Sequence, residues 1–570
     1  MNVKNIIGVI VALLVFSSCH KLDLNPLSAG SSETWFADED ELEMSINDLY
    51  RDPFWPLTKK NGDGGNDAWT DDWMYREALT PITNGKITSE WAVSNEYWKN
   101  AYKAITRCNL ILSKADQLQE VIPEERLNSY KAETHFIRAC QYARLIFYFG
   151  DVIFYLDPLT LEDAFKLERT SKAQVLEQIY ADFDFASQYL PEQYSGASLQ
   201  RATKGAALGM KARTALYEGD FETARDAAKA CMDLGVYSLH KDFASLFLTS
   251  TKTSPEFVFV LPRSVEFGNT LSIQDAIPRN NGGWGAWSPT WELFCSFLCT
   301  DGLPIDQSSR YNPQKPFENR DPRCAATIIP FGSAHLGFIY QPHPDSLNVL
   351  NLSTGKEQAN QDTRSNQQFA SFNGLLWNKG IDNTWLENGF KVDPIKIILR
   401  YADVLLMYAE AKIALNDIDP SVLEAINTVR SRAYGTTPDN TAGYPAVTTT
   451  DQSGLRTIVR TERRMEFAFE GRRYADIIRW RIADKVLNRP VYGMLDPEKL
   501  RQEIVAKGLW FFPDTPPIDE DGIPDFSQMY NNGLIKKIVD RSFDKSRQYL
   551  WPIPSTDIQI NDKLKQNPNY

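Results

Sequence analysis

Two segments of the chain set tryptophans among acidic and amide side chains. One is Asn66-Asp67-Ala68-Trp69-Thr70-Asp71-Asp72-Trp73-Met74-Tyr75; the other is Asn280-Asn281-Gly282-Gly283-Trp284-Gly285-Ala286-Trp287. A sugar ring has an apolar C–H face and an equator of hydroxyls. It is therefore held by a flat aromatic platform with carboxylate, amide or guanidinium partners around the rim. Both segments hold both ingredients. Eight of the 14 tryptophans fall within residues 55–98 and 284–291, where even spacing would put about one. Trp55 and Trp98 sit in helical or apolar surroundings and are assigned to the core. Trp73 and Trp284 are the leading platforms, followed by Trp69, Tyr75 and Trp287, with Asn66, Asp67, Asp71 and Asp72 as rim partners. The competing reading is that the indoles turn inward and pin long loops, as most aromatic rings do.

Other groups could do chemistry, and each has a blander reading. Glu462, Glu466 and Glu470 are spaced by four, so a helix would put all three carboxylates on one face. A glycosidase needs two carboxylates flanking its sugar at a defined separation. Arg463, Arg472, Arg473 and Arg479 lie close by, so an ion-pair network that locks the helix to its neighbours is favoured. The chain has no GxSxG elbow, Walker A loop or HExxH pair. His335 and His343 lack a cysteine or carboxylate at ligand spacing, so no catalytic metal is expected. Asp519-Glu520-Asp521-Gly522 with Asp525 matches part of a calcium loop and reads better as a surface turn, a structural calcium ion staying open. Beyond that no cofactor is expected. Cys108, Cys140 and Cys231 read as buried thiols, and Cys295 and Cys299, four apart, are expected to stay unbridged.

Length and charge bound what these groups can belong to. The chain has 570 residues, 43% of them hydrophobic, against a soft prior of three or four domains. It carries 74 acidic and 61 basic residues, a net charge of -13, which argues against a nucleic-acid partner. Residues 1–18 read as a signal peptide: Lys4 gives the positive charge and Ile6–Phe16 the apolar run. Phe16-Ser17-Ser18-Cys19 is similar to a bacterial lipobox, which would acylate Cys19 and leave residues 19–30 as a tether. No later segment is long and apolar enough to span a bilayer, so attachment would be by lipid anchor only.

Most of the body is periodic at helical spacing. Trp98, Ala101, Tyr102, Ile105, Cys108 and Leu112 share one face. Further helices are expected at about 125–149, 175–190, 401–415, 422–432 and 455–480. Residues 203–217 and 221–234 flank Glu218-Gly219-Asp220 and resemble a tetratricopeptide-type helix pair lined by alanines. The expected class is mainly α, with degenerate tetratricopeptide-type pairs as scaffold and a large loop-rich insertion carrying short strands. Residues 31–570 would form a single domain. Its helical scaffold would span about 31–256 and 395–482, its loop-rich ligand-facing region about 257–394, and its loop-rich C-terminal region 483–570.

In this order the segments resemble the SusD/RagB family of nutrient-binding outer-membrane lipoproteins. The resemblance rests on Leu22-Asp23-Leu24-Asn25-Pro26 after the lipobox, Trp98-Lys99-Asn100-Ala101-Tyr102, and Glu133 to Ala139 running to Phe149-Gly150-Asp151. It continues through Arg400 to Ala411, Glu462-Arg463, Glu466-Phe467, Glu470-Gly471-Arg472-Arg473, Pro552-Ile553-Pro554 and Gln566-Asn567-Pro568. One departure is Gly150-Asp151-Val152-Ile153, where a proline is commoner after the valine. The resemblance implies a non-enzymatic lid on the extracellular side of the outer membrane. It would capture oligosaccharides for a SusC-like TonB-dependent barrel, often with a stacking aromatic from each of the two tryptophan regions. The alternatives are a RagB-like protein that captures peptides and an envelope-bound glycoside hydrolase using acids such as Asp71 and Asp72.

Overall fold

The computed structural model describes residues 35–56, 65–196 and 200–570. The expected signal peptide, lipidated Cys19 and tether lie outside the described residues. Among the described residues no helix is long and apolar enough to cross a membrane. The chain is mainly helical with small antiparallel sheets, as its periodicity implies.

The scaffold opens with α1 (Glu39–Asp48), capped by the Asp38 carboxylate, which accepts the N–H of Glu41 at 3.0 Å. The long helices α2 (Ala92–Ala115) and α3 (Glu124–Phe149) follow, and α3 packs against both α2 and α4 (Lys172–Tyr189). Next come α5 (Lys204–Glu218) and α6 (Phe221–Asp233), the expected helix pair. Their turn is made possible by Gly219 at φ +81°, a backbone state that costs a side-chain-bearing residue energy. Asp220 then caps α6 by accepting the N–H of Thr223 at 3.1 Å. About 170 residues later the chain returns, and α7 (Tyr401–Ala414) packs on α6, followed by α8 (Pro420–Ala433).

The expected helix over 455–480 is two helices, α9 (Gln452–Phe467) and α10 (Arg473–Arg479). The break falls where Phe469 takes φ +61° and Gly471 φ +70°. Glu470 therefore leaves the helical face of Glu462 and Glu466, which its spacing had placed it on.

Strands β1 (Trp73–Tyr75), β2 (Phe257–Leu261), β3 (Trp287–Pro289) and β4 (Lys396–Arg400) set the geometry of the loop-rich region. β2 and β4 pair antiparallel, Lys396 against Leu261 and Arg400 against Phe257, so the insertion leaves and rejoins the scaffold at one ribbon. β1 comes from far upstream and pairs with β3 inside the insertion: Trp73 with Pro289, Met74 with Ser288, Tyr75 with Trp287. The two tryptophan segments are thus hydrogen-bonded neighbours. The C-terminal segment closes the other end. Trp551 donates its N–H to the Tyr148 carbonyl, and the Asn567 amide reaches the Phe149 carbonyl at 2.9 Å and that of Trp551 at 2.7 Å. One hydrophobic cluster runs from Leu42 through the helices to Ile553.

Candidate functional site

The acids of the first segment face inward. Asp71 accepts from Arg464 at 2.8 Å and twice from Arg473 at 2.9 Å, while Asp72 accepts from Arg464 at 2.6 and 2.9 Å. Both side chains are buried. Burial opposes ionisation of Asp71, yet Arg464 and Arg473 outweigh it and hold the carboxyl below the usual range. Asp72 moves the other way, because burial together with the Asp71 charge outweighs Arg464. The expectation that Asp71 and Asp72 serve as rim partners is corrected: their lone pairs are spent on guanidiniums from α9 and α10. They are equally withdrawn from the glycosidase role.

Asp67 is buried as well and accepts the Gly471 N–H at 3.0 Å. Asn66 lies in a short turn at 65–69, and its side chain is outside the described residues. Trp69 is a core residue, its ring 5.2–6.0 Å from those of Trp91, Tyr97, Tyr474 and Trp551, so its expected platform role is corrected too.

A pH test follows from Asp67. Burial, then the neighbouring Asp72 charge, raises its carboxyl from 3.8 to about 7. A raised acid stabilises the fold below its unfolded pKa and loses that contribution as pH climbs through the folded one. Asp67→Asn, neutral throughout, should therefore gain on the parent in melting temperature between pH 5 and pH 8. A difference that stays flat across this window would count against the assignment.

The three glutamates do form an ion network, but with other partners than their neighbours in sequence. Glu462 pairs with Arg323 at 2.7 Å and Arg430 at 2.8 Å; Glu466 pairs with Arg323, Arg400 and Arg432; Glu470 pairs with Arg400 and Lys379 at 2.7 Å each. Arg463, one residue round the helix from Glu462, faces α7 and bonds Asp403 at 2.9 Å. Arg472 donates to the Ile398 carbonyl, Arg473 serves Asp71, and Arg479 bonds Glu410 and Asp476. Arg323 and Lys379 belong to the insertion, so the network also stitches it to the scaffold. Asp519 and Asp521, the calcium-loop acids, are engaged by Lys485 at 3.1 and 2.6 Å. Cys295 and Cys299 are buried free thiols, as are the other described cysteines.

An aromatic ladder rises beside the β1–β3 pair. Trp377 stacks on Trp287 at 5.4 Å, Trp287 meets Trp73 at 6.0 Å, and Trp73 meets Tyr75 at 6.3 Å. Trp73 and Trp287 are 6% and 4% exposed, so they support the surface and cannot present a face to a ligand. That corrects their expected role. Tyr75 is half-buried at the top of the ladder, its hydroxyl donating to Asp275 at 2.9 Å.

Trp284 is the exception, 45% exposed. Its backbone is held from every side: the N–H donates to the Gln274 carbonyl at 2.9 Å, and its carbonyl accepts from Arg279 at 2.9 Å and Arg76 at 3.4 Å. Gly283 must be glycine, because a Cβ there would stand 2.1 Å from the Ile277 carbonyl oxygen. Asp362 accepts the N–H groups of Arg279 and Asn280 at 2.7 and 3.2 Å, and Asn281 donates to the Leu336 carbonyl at 2.6 Å. The asparagines of this segment thus fix the loop. Among the described residues no ring stacks on the Trp284 indole. Phe369, also 45% exposed, lies across Arg76, whose guanidinium is 5.4 Å from the Phe369 ring and 5.7 Å from the Tyr75 ring.

The rim is therefore Trp284, Tyr75, Phe369, Arg76, Arg279 and Asp275. Sequence reasoning missed Arg76, Arg279, Phe369 and Asp275. The arginines directly follow Tyr75 and precede Asn280, a signal open to a reader looking for guanidinium partners. Half-open clefts lie elsewhere, of about 370 Å³ beside Arg201, Tyr237 and Phe259, about 290 Å³ beside Tyr217 and Trp480, and about 140 Å³ between Trp55, Tyr97, Arg144 and Arg472. A polymer lying across the protein needs an open face with a fixed ring, which Trp284 supplies at the rim.

Residues 263–570 match the family model described as SusD family, and residues 52–216 match one described as starch-binding associating with outer membrane. A SusD-like protein P25 of Formosa agariphila is 25% identical over 87% of this chain and 93% of its own length. A solved structure of a SusD-like carbohydrate binding protein from Bacteroides fragilis is 27% identical and superposes with a TM-score of 0.77, covering 93% of this chain and all of that one. A second SusD-like structure from the same species is 25% identical with a TM-score of 0.71, over 95% and 99% of the two chains.

Proposed function

The chain belongs to the SusD family, and from that membership and the open indole rim we propose that it captures oligosaccharides at the cell surface without cleaving them. The single observation that carries this reading is Trp284, an exposed indole on an immobilised backbone, flanked by Tyr75, Arg76 and Arg279. A sugar would lay its C–H face on the indole and turn its hydroxyls toward the guanidiniums. Because the loop beneath is already fixed, little ordering entropy is lost on binding. Asp71 and Asp72, the acids a hydrolase would call on, are neutralised within the protein, which supports binding without hydrolysis. Cys19 would carry the lipid anchor on the outer face of the outer membrane, and a SusC-like TonB-dependent barrel would take the ligand from the rim.

The test is calorimetric titration of the protein from His20 onward against a panel of oligosaccharides and peptides. We expect heat from one or more oligosaccharides and no new reducing ends after prolonged incubation. Binding of peptides alone would favour the RagB-like alternative, and released reducing ends would overturn the reading.

A further inference from the structure

Arg76 and Arg279 stand side by side at the rim, and the Nη groups of both reach one acceptor, the Trp284 carbonyl. Among the described residues neither forms an ion pair with a carboxylate. The acid nearest Arg279, Asp362, spends both oxygens on the backbone N–H groups of Arg279 and Asn280. The Arg279 pKa is pushed down first by burial and then by the Arg76 charge, against the opposing pull of Asp362. Elsewhere in this molecule some buried arginines are neutralised, Arg201 by Glu133, Arg138 by Asp182 and Arg541 by Glu292, while Arg144, Arg169 and Arg320 are served by carbonyl and amide oxygens. Arg76 and Arg279 differ in standing together beside an open indole, with the Trp284 carbonyl as their shared acceptor and the Asp275 carboxylate, bonded to the Tyr75 hydroxyl, as the other charge of the rim.

Arg76 is also held at a cost. It has φ +50°, a left-handed state that a non-glycine residue seldom adopts and that gathers at functional positions. The rings of Tyr75 and Phe369 flank its guanidinium and fix its direction. A guanidinium has five N–H donors in a planar fork that matches a carboxylate or a sulfate. The carbonyl of Trp284 takes up a small part of what two such forks offer.

Resting on the capture reading above, we infer that the glycan this rim takes is anionic, with a uronate carboxylate or a sulfate ester placed over Arg76 and Arg279 while the neighbouring ring lies on Trp284. The net charge of -13 opposes this only weakly. Charges farther than about 8 Å are largely screened at physiological ionic strength, so the two contacting guanidiniums dominate the local field. A neutral sugar would leave their mutual repulsion in place, whereas an anionic substituent relieves it.

The experiment titrates the protein from His20 onward with matched pairs: uronate-containing oligosaccharides against their carboxyl-reduced counterparts, and sulfated oligosaccharides against their desulfated ones. The acidic member of one pair should bind at least tenfold more tightly at 50 mM salt, and the gap should narrow at 500 mM. Whichever pair shows the preference identifies the anion. In an Arg76→Gln/Arg279→Gln double variant with unchanged melting temperature, the ratio of the two affinities should fall to about one, both members binding more weakly than to the parent because the guanidiniums also receive sugar hydroxyls. Equal affinity within both pairs would overturn the inference, as would a preference that survives the double change. If acidic and neutral oligosaccharides bind equally and Trp284→Ala abolishes both, the charge inference falls alone. If nothing in any pair binds, the capture reading falls with it.

Discussion

Replacing Trp284 with alanine should weaken oligosaccharide binding about 30-fold, the equivalent of roughly 2 kcal/mol, and leave the unfolding midpoint unchanged. The two halves of that expectation have separate causes. Close to half of the side chain is open to water, so truncation removes little packing from the folded state. The loop stays in place because its ties are backbone groups: the N–H to Gln274, the carbonyl from Arg279 and Arg76, and the Asp362 carboxylate beneath. What goes is the flat apolar face on which a sugar ring would lie. Calorimetric titration of parent and variant against the same oligosaccharide reads the first half, and a melting curve reads the second. Undiminished affinity in a folded Trp284→Ala protein would remove Trp284 from the site.

Glu466→Gln is expected to lower the free energy of unfolding at pH 7 by about 3–5 kcal/mol, a large share of the 5–15 kcal/mol typical of folded proteins. The Glu466 carboxylate is fully buried and accepts from Arg323 at 2.9 Å, Arg400 at 2.6 Å and Arg432. Glutamine keeps the shape, so no cavity opens. It removes the negative charge around which three guanidiniums converge and offers an N–H₂ where they need an acceptor. Burial by itself would raise the Glu466 pKa, but the three arginines dominate and hold it well below the usual carboxylate range. A depressed acid contributes stability above its unfolded pKa and loses it as pH falls toward the folded one. The gap between parent and variant should accordingly be widest near neutrality and narrow in acid below about pH 4. Urea unfolding at pH 7 and pH 3.5 measures both points. Equal midpoints at pH 7 would mean that the network stabilises nothing.

These two residues also mark how much of the molecule is legible in its sequence. The helices were legible because apolar positions recur at 3.6 spacing over long stretches. α3 ends at Gly150 and α5 at Gly219, both visible in the chain. The break between α9 and α10 was not legible, since Phe469 is an apolar residue in step with the helical pattern, and its left-handed backbone follows from tertiary contacts. At the site the choice of Trp284 came from its setting among glycines and asparagines, and glycines at 282, 283 and 285 mark a tight loop. Trp69, Trp73 and Trp287 stand in settings of the same kind, yet their rings are buried. What separates them is contact with rings at least 90 residues away in sequence, Trp551 for Trp69, Trp377 for Trp287 and Trp287 for Trp73, which no local pattern records. Asp71 and Asp72 misled for the same reason: an acidic pair in a polar segment looks solvated until its arginines are found.

The β2–β4 ribbon has one more consequence. Both ends of residues 262–395 meet at neighbouring strands, so this stretch leaves and rejoins the helical body at one place, a cassette held down further by the β1–β3 pair and by Arg323 and Lys379. Lengthening it costs little, since doubling a flexible loop adds about 0.6 kcal/mol of closure entropy, and α6 and α7 keep their seats against each other whatever the cassette holds. The cassette can change its loop chemistry while the helix pairs beneath it keep their packing.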